Sequence, residues 1–508
     1  MTLMHQALPE ATEHYAAAFP DLIYQPFGQI PWLVSQAGFG CYRVDASIAA
    51  HREVLAYALQ RGINVIDTSS NYADGNSERL VGQVLAELAG EISREAVVVV
   101  SKVGYLQGQN YALSQERKEE GQPFPDLVEY ASGLEHCIHP EFLADQLTRS
   151  LARLDMSVID CYLLHNPEYF LGWAHKQGLP LDEAREEYYR RIRLAFAHLE
   201  KEVANGHIQT YGISSNTFPV SNDDPQFTSL TQCWQIAEAI SPDHHFRVIQ
   251  LPMNLLETGG ATEVNQGDGR SVLEFAREKG LAVLINRPLN AFYNNNLMRL
   301  VTVKRPEKVA APGEVSTAVD TLVQLEVDFQ QQILPALGLE DETGQQLGVL
   351  LRVGMALNGR WSGFGSYINW QEILAQHLIP RTQGAVHILS NLPNLPPEHW
   401  QWVNDYVTLF NQTMADIGTI YQDGAATWAE LTQHTVGQAD KEWQADRLSG
   451  TAVRALRSTK GISTILVGMR QKAYVDDILT ELSIPIPIQK RTISWQKLAQ
   501  IEGMHSGK

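Results

Sequence analysis

Four residues that can hold or transfer a proton lie at or just after the ends of short apolar segments of this chain: Asp67, Tyr72, Lys102 and His165. An acid, a phenol, an ammonium group and an imidazole together suit general acid–base chemistry. A tyrosine, with a reference pKa of about 10, is a poor acid near neutrality, and a nearby ammonium group should lower that pKa by about one to three units. Taken singly, the same four residues are also typical of a turn acid, a packed ring, a solvated lysine and a buried histidine.

The elements that must position these residues alternate between apolar strands and amphipathic helices. The predicted strands are residues 32–38, 63–67, 96–100, 159–164, 208–214, 248–253, 281–285 and 464–467. This alternation predicts a parallel sheet, and eight units favour a closed (β/α)₈ TIM barrel, an α/β fold. The strand ends then share the carboxyl-terminal face, where active sites of this fold lie, so the four residues should converge there. No Gly-x-Gly-x-x-Gly sequence joins a strand to a helix, which argues against an open dinucleotide-binding sheet.

Local signals support two of the helices. Residues 77–88 have apolar side chains at three- and four-residue spacing, and Ser77 followed by Glu78 predicts a cap and an acid at the first turn. Residues 140–154 show the same spacing, and Pro140 fits a first helical turn.

The units are unevenly spaced, and the largest gap follows the seventh strand. We predict an N-terminal extension (1–31), barrel strands one to seven (32–288), a mostly helical insertion (289–445), the last barrel unit (446–482) and a C-terminal tail (483–508). Because the insertion leaves the barrel at the end of a strand, we expect it to cover the mouth of the barrel. The aromatic residues that could line it, or instead pack the insertion's own core, are Trp361, Phe364, Tyr367 and Trp370.

Composition narrows the class of partner. The 508 residues include 39 Lys and Arg against 58 Asp and Glu, a formal net charge of −19. With no run of five basic residues, nucleic acids and anionic membrane surfaces are not expected as partners. No apolar run approaches the roughly 20 residues of a membrane-spanning helix. The first residues lack signal-peptide features, and the four cysteines are widely spaced, which favours reduced thiols in a cytoplasmic protein.

Two long motifs carry a family resemblance. GINVIDTSSNYADGNSERLVG resembles the aldo-keto reductase signature, and HPEFLADQLTRSLARLDMSVIDCYLLHNPE is similar to that family's second signature. SKVGY matches the lysine strand, and STILVGM resembles the strand before the cofactor-phosphate loop. The segments YGISSN, VIQLPMN and NRPLNAF resemble three later strands of that family. The resemblance covers residues 32–290 and 450–482.

The resemblance implies a catalytic tetrad of Asp67, Tyr72, Lys102 and His165, all retained here. Tyr72 would supply a proton while a hydride reaches a carbonyl carbon. Lys102, held by Asp67, would favour the phenolate, and His165 would orient and polarise the carbonyl oxygen. The sequence His136-Cys137-Ile138-His139 hints at metal ligands, but such close positions in a loop rarely close a tetrahedral site, so no metal is expected.

The family also implies a nicotinamide cofactor, held at its amide by a Ser-Asn pair and a Gln. Ser214 and Gln250 match, whereas Ser215 stands at the usual Asn and Asn216 follows it, so either of these two could make the contact. Asn286 occupies the place where many members stack an aromatic ring.

Further cofactor contacts are implied at two other places. Arg287 precedes Pro288 as in some members of the family. In the loop beginning at Gly468, Arg470 and Lys472 could meet a 2′-phosphate at the start of a helix, although Ile478 replaces a common Asn. These cations favour NADPH over NADH, unless they are ordinary surface charges.

The resemblance therefore implies an NADP-dependent oxidoreductase that interconverts a small-molecule aldehyde or ketone and its alcohol. A second hypothesis remains open: a catalytically weak, cofactor-binding scaffold or regulatory subunit. In that case the insertion would dock a protein partner or another copy of the chain, rather than act as a lid.

Overall fold

The structure is a computed structural model that describes residues 6–293, 296–392 and 395–501. It divides into two units, one formed by residues up to Leu289 and from Thr435 onwards, and the other by residues 290–434, here called the helical unit. Parts of three predicted regions lie outside the described residues: 1–5 of the extension, 502–508 of the tail, and 294–295 and 393–394 of the insertion.

Eight parallel strands close into a barrel in the first unit, which confirms the predicted fold class. They are β1 (Ala37–Gly40), β2 (Val65–Asp67), β3 (Val98–Val103), β4 (Ile159–His165), β5 (Ile208–Ser214), β6 (Phe246–Pro252), β7 (Ala282–Asn286) and β8 (Thr464–Val467). Consecutive strands pair in parallel, and β8 pairs with β1 to close the ring. The valine-rich β3 is buried along its whole length, as expected for a strand covered on both faces.

A helix accompanies each strand around the barrel. These are α1 (Ala49–Gln60), α2 (Asn76–Glu87), α3 (Pro140–Leu154), α4 (Leu181–Ala204), α5 (Leu230–Ile240), α6 (Val272–Glu278), α7 (Leu448–Arg457) and α8 (Lys472–Leu482). The sequence explains where two of these helices begin. Pro140 is the first residue of α3, and Ser271 with Glu274 forms a capping box at the start of α6.

The predicted bounds of the first barrel strand, 32–38, were wrong. Trp32 belongs instead to an antiparallel hairpin of Tyr24–Phe27 and Ile30–Ser35, and the barrel strand is β1. Phe27, Trp32 and Val34 pack in one apolar core with barrel side chains, so the hairpin covers one end of the barrel. Gly28 turns the hairpin at φ +63°, where an added Cβ would lie 2.5 Å from the backbone nitrogen of Ala282.

The predicted cap at Ser77 was also wrong. Helix α2 begins at Asn76 after Gly75, which has φ +85°, and the cap makes no side-chain hydrogen bond. The Ser77 hydroxyl instead lies 2.7 Å from Thr68 Oγ1 and donates to the backbone oxygen of Cys41 at 3.2 Å. Ser77 therefore joins the loops after β1 and β2 rather than stabilising the helix end.

Additional elements lie in the loops and at the ends of this unit. They are the helices Pro9–Ala17, Gly108–Glu119, Tyr169–Lys176, Gly259–Thr262 and Thr492–Gln500, the short 3₁₀ turns Tyr72–Gly75, Arg94–Ala96 and Lys441–Trp443, and a three-stranded sheet of Tyr105–Leu106, Val128–Ala131 and Leu134–His136. All four cysteines of the chain are buried free thiols.

The helical unit is built around its own apolar core. Its elements are the paired strands Asn290–Tyr293 and Asn296–Arg299, the helices Pro312–Asp328, Leu334–Ala336, Asp341–Leu350, Val353–Leu357, Tyr367–Ile373 and Ile379–Ser390, the π-helical turns Phe329–Ile333 and Leu374–Leu378, and most of the long helix Pro397–Ala439. Within the described part of the chain, every helix is too short or too polar to cross a lipid bilayer.

The aromatic residues considered for a pocket wall pack inside the helical unit. Trp370 is 1% exposed, and its ring stacks on Phe364 and Tyr421 with centroids 5.8 Å away in both cases. Trp361, Phe364 and Tyr367 pack against the same core. These four aromatic residues therefore pack the insertion's own core, the second of the two roles considered for them.

Candidate active site

A buried ion pair connects the ends of two neighbouring barrel strands. Asp67 closes β2 and is in register with Val100, two residues before Lys102 on β3, so alternation along the strand brings both side chains to the same side. Lys102 Nζ lies 2.7 Å from Asp67 Oδ2, with the two side chains 0% and 6% exposed. Gln250 Nε2 donates to the second oxygen, Asp67 Oδ1, at 2.8 Å.

Tyr72 shares the ammonium group of Lys102. It begins a turn in which Ala73 and Asp74 have φ of 47° and 54°, and this turn brings the phenol back over the strand ends. Lys102 Nζ donates to Tyr72 Oη at 3.1 Å and to the backbone oxygen of Thr68 at 2.9 Å, in addition to Asp67. Because the phenol oxygen accepts from an ammonium group, its own hydrogen is left to donate elsewhere.

The pKa of Tyr72 does not fall as expected from its neighbour. Burial raises the pKa of Tyr72 to about 12, although Lys102 acts in the opposite direction. Burial destabilises the phenolate by more than the Lys102 ammonium group stabilises it, because the negative charge of Asp67 offsets much of that positive charge. Burial also disfavours the charged form of Lys102, but Asp67 and Tyr72 raise the pKa of Lys102 above its ordinary value.

His165 ends β4 beside this pair. Its ring is edge-on to Tyr72, with centroids 5.9 Å apart and planes at 79°. Burial, assisted by the charge of Lys102 and by His136, lowers the pKa of His165 well below its usual value, so the imidazole is neutral near pH 7. The structure thus brings all four predicted tetrad residues together at the ends of β2, β3 and β4.

Several residues around the tetrad were not anticipated from sequence. Tyr105 stands edge-on to His165 with centroids 4.8 Å apart, and Tyr42, 65% exposed, stands edge-on to Tyr72 at 5.2 Å. His136 Nε2 lies 2.7 Å from the backbone oxygen of His165, so the histidine once considered as a metal ligand holds the backbone of the tetrad histidine. Only their positions in the loops after β1 and β3 could have suggested them.

A polar cluster of three amide and hydroxyl side chains follows along β5, β6 and β7. Ser214 is in register with Gln250, and its hydroxyl donates to Gln250 Oε1 at 3.1 Å. Asn286 Nδ2 donates to the same oxygen at 3.2 Å. Asn286 Oδ1 is buried, and in the described part of the chain it has no hydrogen-bond partner. An acceptor of this kind could receive an N–H group of a bound amide.

The structure separates the two candidates for the amide contact after Ser214. Ser215 is 0% exposed, and its hydroxyl lies 3.2 Å from Thr217 Oγ1, so it faces the interior. Asn216 is partly exposed, and its backbone N–H donates to Glu168 Oε1 at 2.8 Å. The Asn216 side chain is therefore the more accessible of the two.

Arg287 follows the polar cluster with an unusual backbone. It has φ +53°, which a non-glycine residue rarely adopts. Its guanidinium pairs with Glu257 at 2.5 Å, and Asn254 Nδ2 donates to its backbone oxygen at 3.2 Å. Arg287 is thus held by the loop after β6, and a cofactor contact would have to be made alongside that ion pair.

The loop after β8 presents positive charge at a helix start. Gly468 and Arg470 are exposed, and α8 begins at Lys472 without a side-chain cap at Gln471. Lys472 Nζ lies 3.5 Å from Glu53, with both side chains more than half exposed, so this pair is weak. Uncapped N–H groups and two exposed cations suit a phosphate group.

Comparison with known proteins identifies relatives of the barrel. The sequence model described as the aldo/keto reductase family matches residues 39–296, half of the chain. An NADH-specific methylglyoxal reductase of Escherichia coli is 31% identical over 173 residues, which cover 32% of this chain and 48% of that protein. The chain therefore matches less than half the length of that curated relative.

Solved structures of the same family are also similar to this chain. A glycerol dehydrogenase from Gluconobacter oxydans is 19% identical, covers 76% of this chain and 95% of its own, and gives a TM-score of 0.36. An aldo/keto reductase from Klebsiella pneumoniae in complex with NADP and acetate is 23% identical, covers 52% and 67% respectively, and gives a TM-score of 0.31.

Proposed function

Because this chain belongs to the aldo/keto reductase family, we propose that it interconverts an aldehyde or ketone and its alcohol by hydride transfer with a nicotinamide cofactor. The observation that carries the proposal is the contact of the buried Lys102 ammonium group with the Tyr72 hydroxyl at 3.1 Å. This contact leaves the phenol hydrogen available at the mouth of a barrel, where this fold places its chemistry.

Tyr72 acts as the general acid in the reducing direction. As a hydride reaches the carbonyl carbon, the oxygen gains negative charge and takes the phenol hydrogen, which leaves an alcohol and a phenolate. Lys102 stabilises that phenolate across the hydrogen bond already present, and Asp67 keeps Lys102 charged and in place. In the oxidising direction, the phenolate removes the alcohol hydrogen.

His165 orients the carbonyl oxygen. A neutral imidazole can donate one hydrogen bond without competing as an acid, and a fixed donor at the developing alkoxide stabilises the transition state. The Tyr42 and Tyr105 rings beside Tyr72 and His165 support an apolar side for the substrate pocket.

The polar cluster fits the amide of a nicotinamide ring. Ser214, Gln250 and Asn286 lie one strand apart, next to Asp67, and the buried acceptor Asn286 Oδ1 matches an amide N–H. When bound, the cofactor supplies the hydride. Asn216 is a further candidate for the same amide, and Arg287 remains a proposed contact alongside Glu257.

NADPH is the proposed cofactor, with NADH a weaker alternative. Arg470 and Lys472, at the uncapped start of α8, would meet a 2′-phosphate. The space beside Gly468 is open, since an added Cβ would have no atom within 4 Å. The Escherichia coli relative is described as NADH-specific, so both cofactors belong in any assay.

The test is oxidation of NADPH by the full chain against a panel of aldehydes and ketones, with NADH in parallel and with the matching alcohols for the reverse reaction. We expect turnover of at least one carbonyl compound well above background, with NADPH preferred. A protein that binds NADPH but turns over no compound in either direction would contradict the proposal and favour the cofactor-binding scaffold.

A further inference from the structure

Ser69, which lies between Asp67 and Tyr72 in the first signature, contacts the tetrad histidine directly. Ser69 is 0% exposed, and its hydroxyl oxygen lies 3.1 Å from His165 Nδ1. The turn that presents Tyr72 also holds Ser69, since the Tyr72 backbone N–H donates to the Ser69 oxygen at 3.2 Å. The same turn therefore positions both the Ser69 hydroxyl and the Tyr72 phenol beside His165.

Ser69 is one member of a chain of side-chain hydrogen bonds that reaches solvent. Its hydroxyl lies 2.7 Å from Asn71 Oδ1, and Asn71 Nδ2 lies 3.2 Å from Oε1 of the exposed Gln107. We call His165, Ser69, Asn71 and Gln107 the Ser69 chain. Both outer members are amides, whose oxygen and nitrogen can exchange places with little change in shape.

The hydrogen bonds of the Ser69 chain can run in either of two directions, and each direction fixes a different tautomer of His165. Ser69 has one hydroxyl hydrogen. If it points outward to Asn71, or to the Lys102 backbone oxygen 3.3 Å away, the hydroxyl oxygen accepts from Nδ1–H of His165, and Nε2 carries no hydrogen. If both amides are turned over, Asn71 donates to Ser69, and the Ser69 hydroxyl can then donate to Nδ1. Nε2 then carries the single hydrogen of the neutral imidazole.

Only one of these two directions lets the imidazole donate a hydrogen bond to the carbonyl oxygen, as proposed for His165. A group that steadies a developing alkoxide must donate a hydrogen bond to it. Nδ1 is occupied by Ser69, so the donor has to be Nε2, which has no hydrogen-bond partner among the described residues. We propose that Ser69 is a positioning residue that donates to Nδ1 of His165 and thereby holds the imidazole in the Nε2–H tautomer.

The catalytic consequence rests on the proposed function, but the tautomer is a property of the free protein. It is measured by ¹⁵N–¹H NMR of the full chain labelled at histidine, where protonated and unprotonated ring nitrogens have distinct shifts. The signals of His165 are those lost in His165→Gln. We expect a protonated Nε2 and an unprotonated Nδ1. The opposite pattern in the wild-type protein would overturn the proposal whether or not a substrate is known.

Three substitutions separate positioning from simple structure. Ser69→Ala should remove the preference for one tautomer and lower kcat about tenfold, the effect of one hydrogen bond, with the Kd for NADPH unchanged. Asn71→Asp has no N–H to offer, so Ser69 must donate to it, and the NMR pattern should switch to Nδ1–H with a similar loss of kcat. The matched control is Ser70→Ala, since the Ser70 hydroxyl is buried without a partner in the described chain, and it should change neither property.

Each variant is first shown to be folded by its thermal unfolding midpoint. A Ser69→Ala protein with unchanged tautomer and kcat would overturn the proposal, as would an Asn71→Asp protein that keeps Nε2–H. If the wild-type protein reduces no carbonyl compound, the NMR comparison of Ser69→Ala with Ser70→Ala still decides the positioning role, while the proposed function fails separately.

Discussion

The barrel and the helical unit each bury a carboxylate beside a tyrosine, with opposite results. In the helical unit, Tyr406 donates its hydrogen to Glu326 at 2.8 Å, and burial together with Glu326 raises the pKa of Tyr406 far above its usual value. In the barrel, Lys102 stands between Asp67 and Tyr72, so the phenol oxygen accepts and its hydrogen is free. The ammonium group between carboxylate and phenol is therefore what distinguishes Tyr72, which can donate a proton to a substrate, from Tyr406, which is structural.

The partners of the two carboxylates show the same contrast. Glu326 accepts from the backbone N–H groups of Gly354 at 2.6 Å and Met355 at 3.0 Å, so it anchors the first turn of the helix Val353–Leu357. Asp67 accepts from Lys102 and from Gln250, a member of the polar cluster at the barrel mouth. Glu326 holds backbone N–H groups, whereas Asp67 holds side chains of the proposed active site.

The largest expected effect comes from removing the intervening ammonium group. Lys102→Met should lower kcat for carbonyl reduction about 10³-fold, within the range of general acid catalysis, because Tyr72 then loses the charge that stabilises its phenolate. Steady-state kinetics on any substrate found in the panel measures this. A loss below about tenfold would show that Lys102 maintains structure, like Glu326, rather than chemistry.

The helical unit should respond in stability instead. Glu326→Gln removes the charge at the start of the helix Val353–Leu357 and leaves an imperfect partner for Tyr406, which should cost about 1–3 kcal/mol of unfolding free energy. Urea unfolding of the full chain, monitored separately by fluorescence and by activity, measures it. We expect kcat to stay within about twofold of the wild-type value, and a catalytic loss without destabilisation would break the comparison.

The cofactor phosphate gives a smaller effect. Replacing both Arg470 and Lys472 with Ala should raise the Kd for NADPH about tenfold to 10²-fold and leave the Kd for NADH nearly unchanged, since each charge-assisted contact is worth about one decade. Fluorescence titration with each cofactor provides the measurement. Equal losses for the two cofactors would indicate that these side chains support the loop rather than the phosphate.

The smallest effect concerns pH. Burial raises the pKa of Tyr72 to about 12, so the phenol stays protonated up to and beyond about pH 9, and His165 stays neutral because its pKa is far below its usual value. Reduction should therefore vary less than about twofold between about pH 6 and 9, whereas oxidation, which needs the phenolate, should rise with pH. A fall in reduction centred between about pH 7 and 9 would mean that Lys102 outweighs burial.

Much of the barrel could be predicted because its strands are short apolar runs between amphipathic helices. The ranges 208–214 and 464–467 match β5 and β8 residue for residue, and the convergence of the tetrad follows from strand order alone. The first strand could not be placed, since the hairpin strand Ile30–Ser35 and β1 are both apolar and adjoin in sequence. Only packing decides which of them enters the ring.

The chemistry was harder to predict than the fold. Sequence identifies the types of the tetrad residues, but the pKa of Tyr72 depends on how deeply the fold buries it, which no motif records. Ser69 and His136 act on His165 through loops whose shape is set by contacts distant in sequence. The four aromatics of the helical unit were ambiguous for the same reason, because wall and core residues have the same composition.

The most direct test of the central claim is hydride transfer by Tyr72→Phe, measured as a single turnover with saturating NADPH and compared with the wild-type rate. We predict a loss of at least about 10²-fold with an unchanged Kd for NADPH, because the ring remains and only the proton donor is removed. A Tyr72→Phe protein that transfers hydride at nearly the wild-type rate would contradict the account and remove Tyr72 from the mechanism.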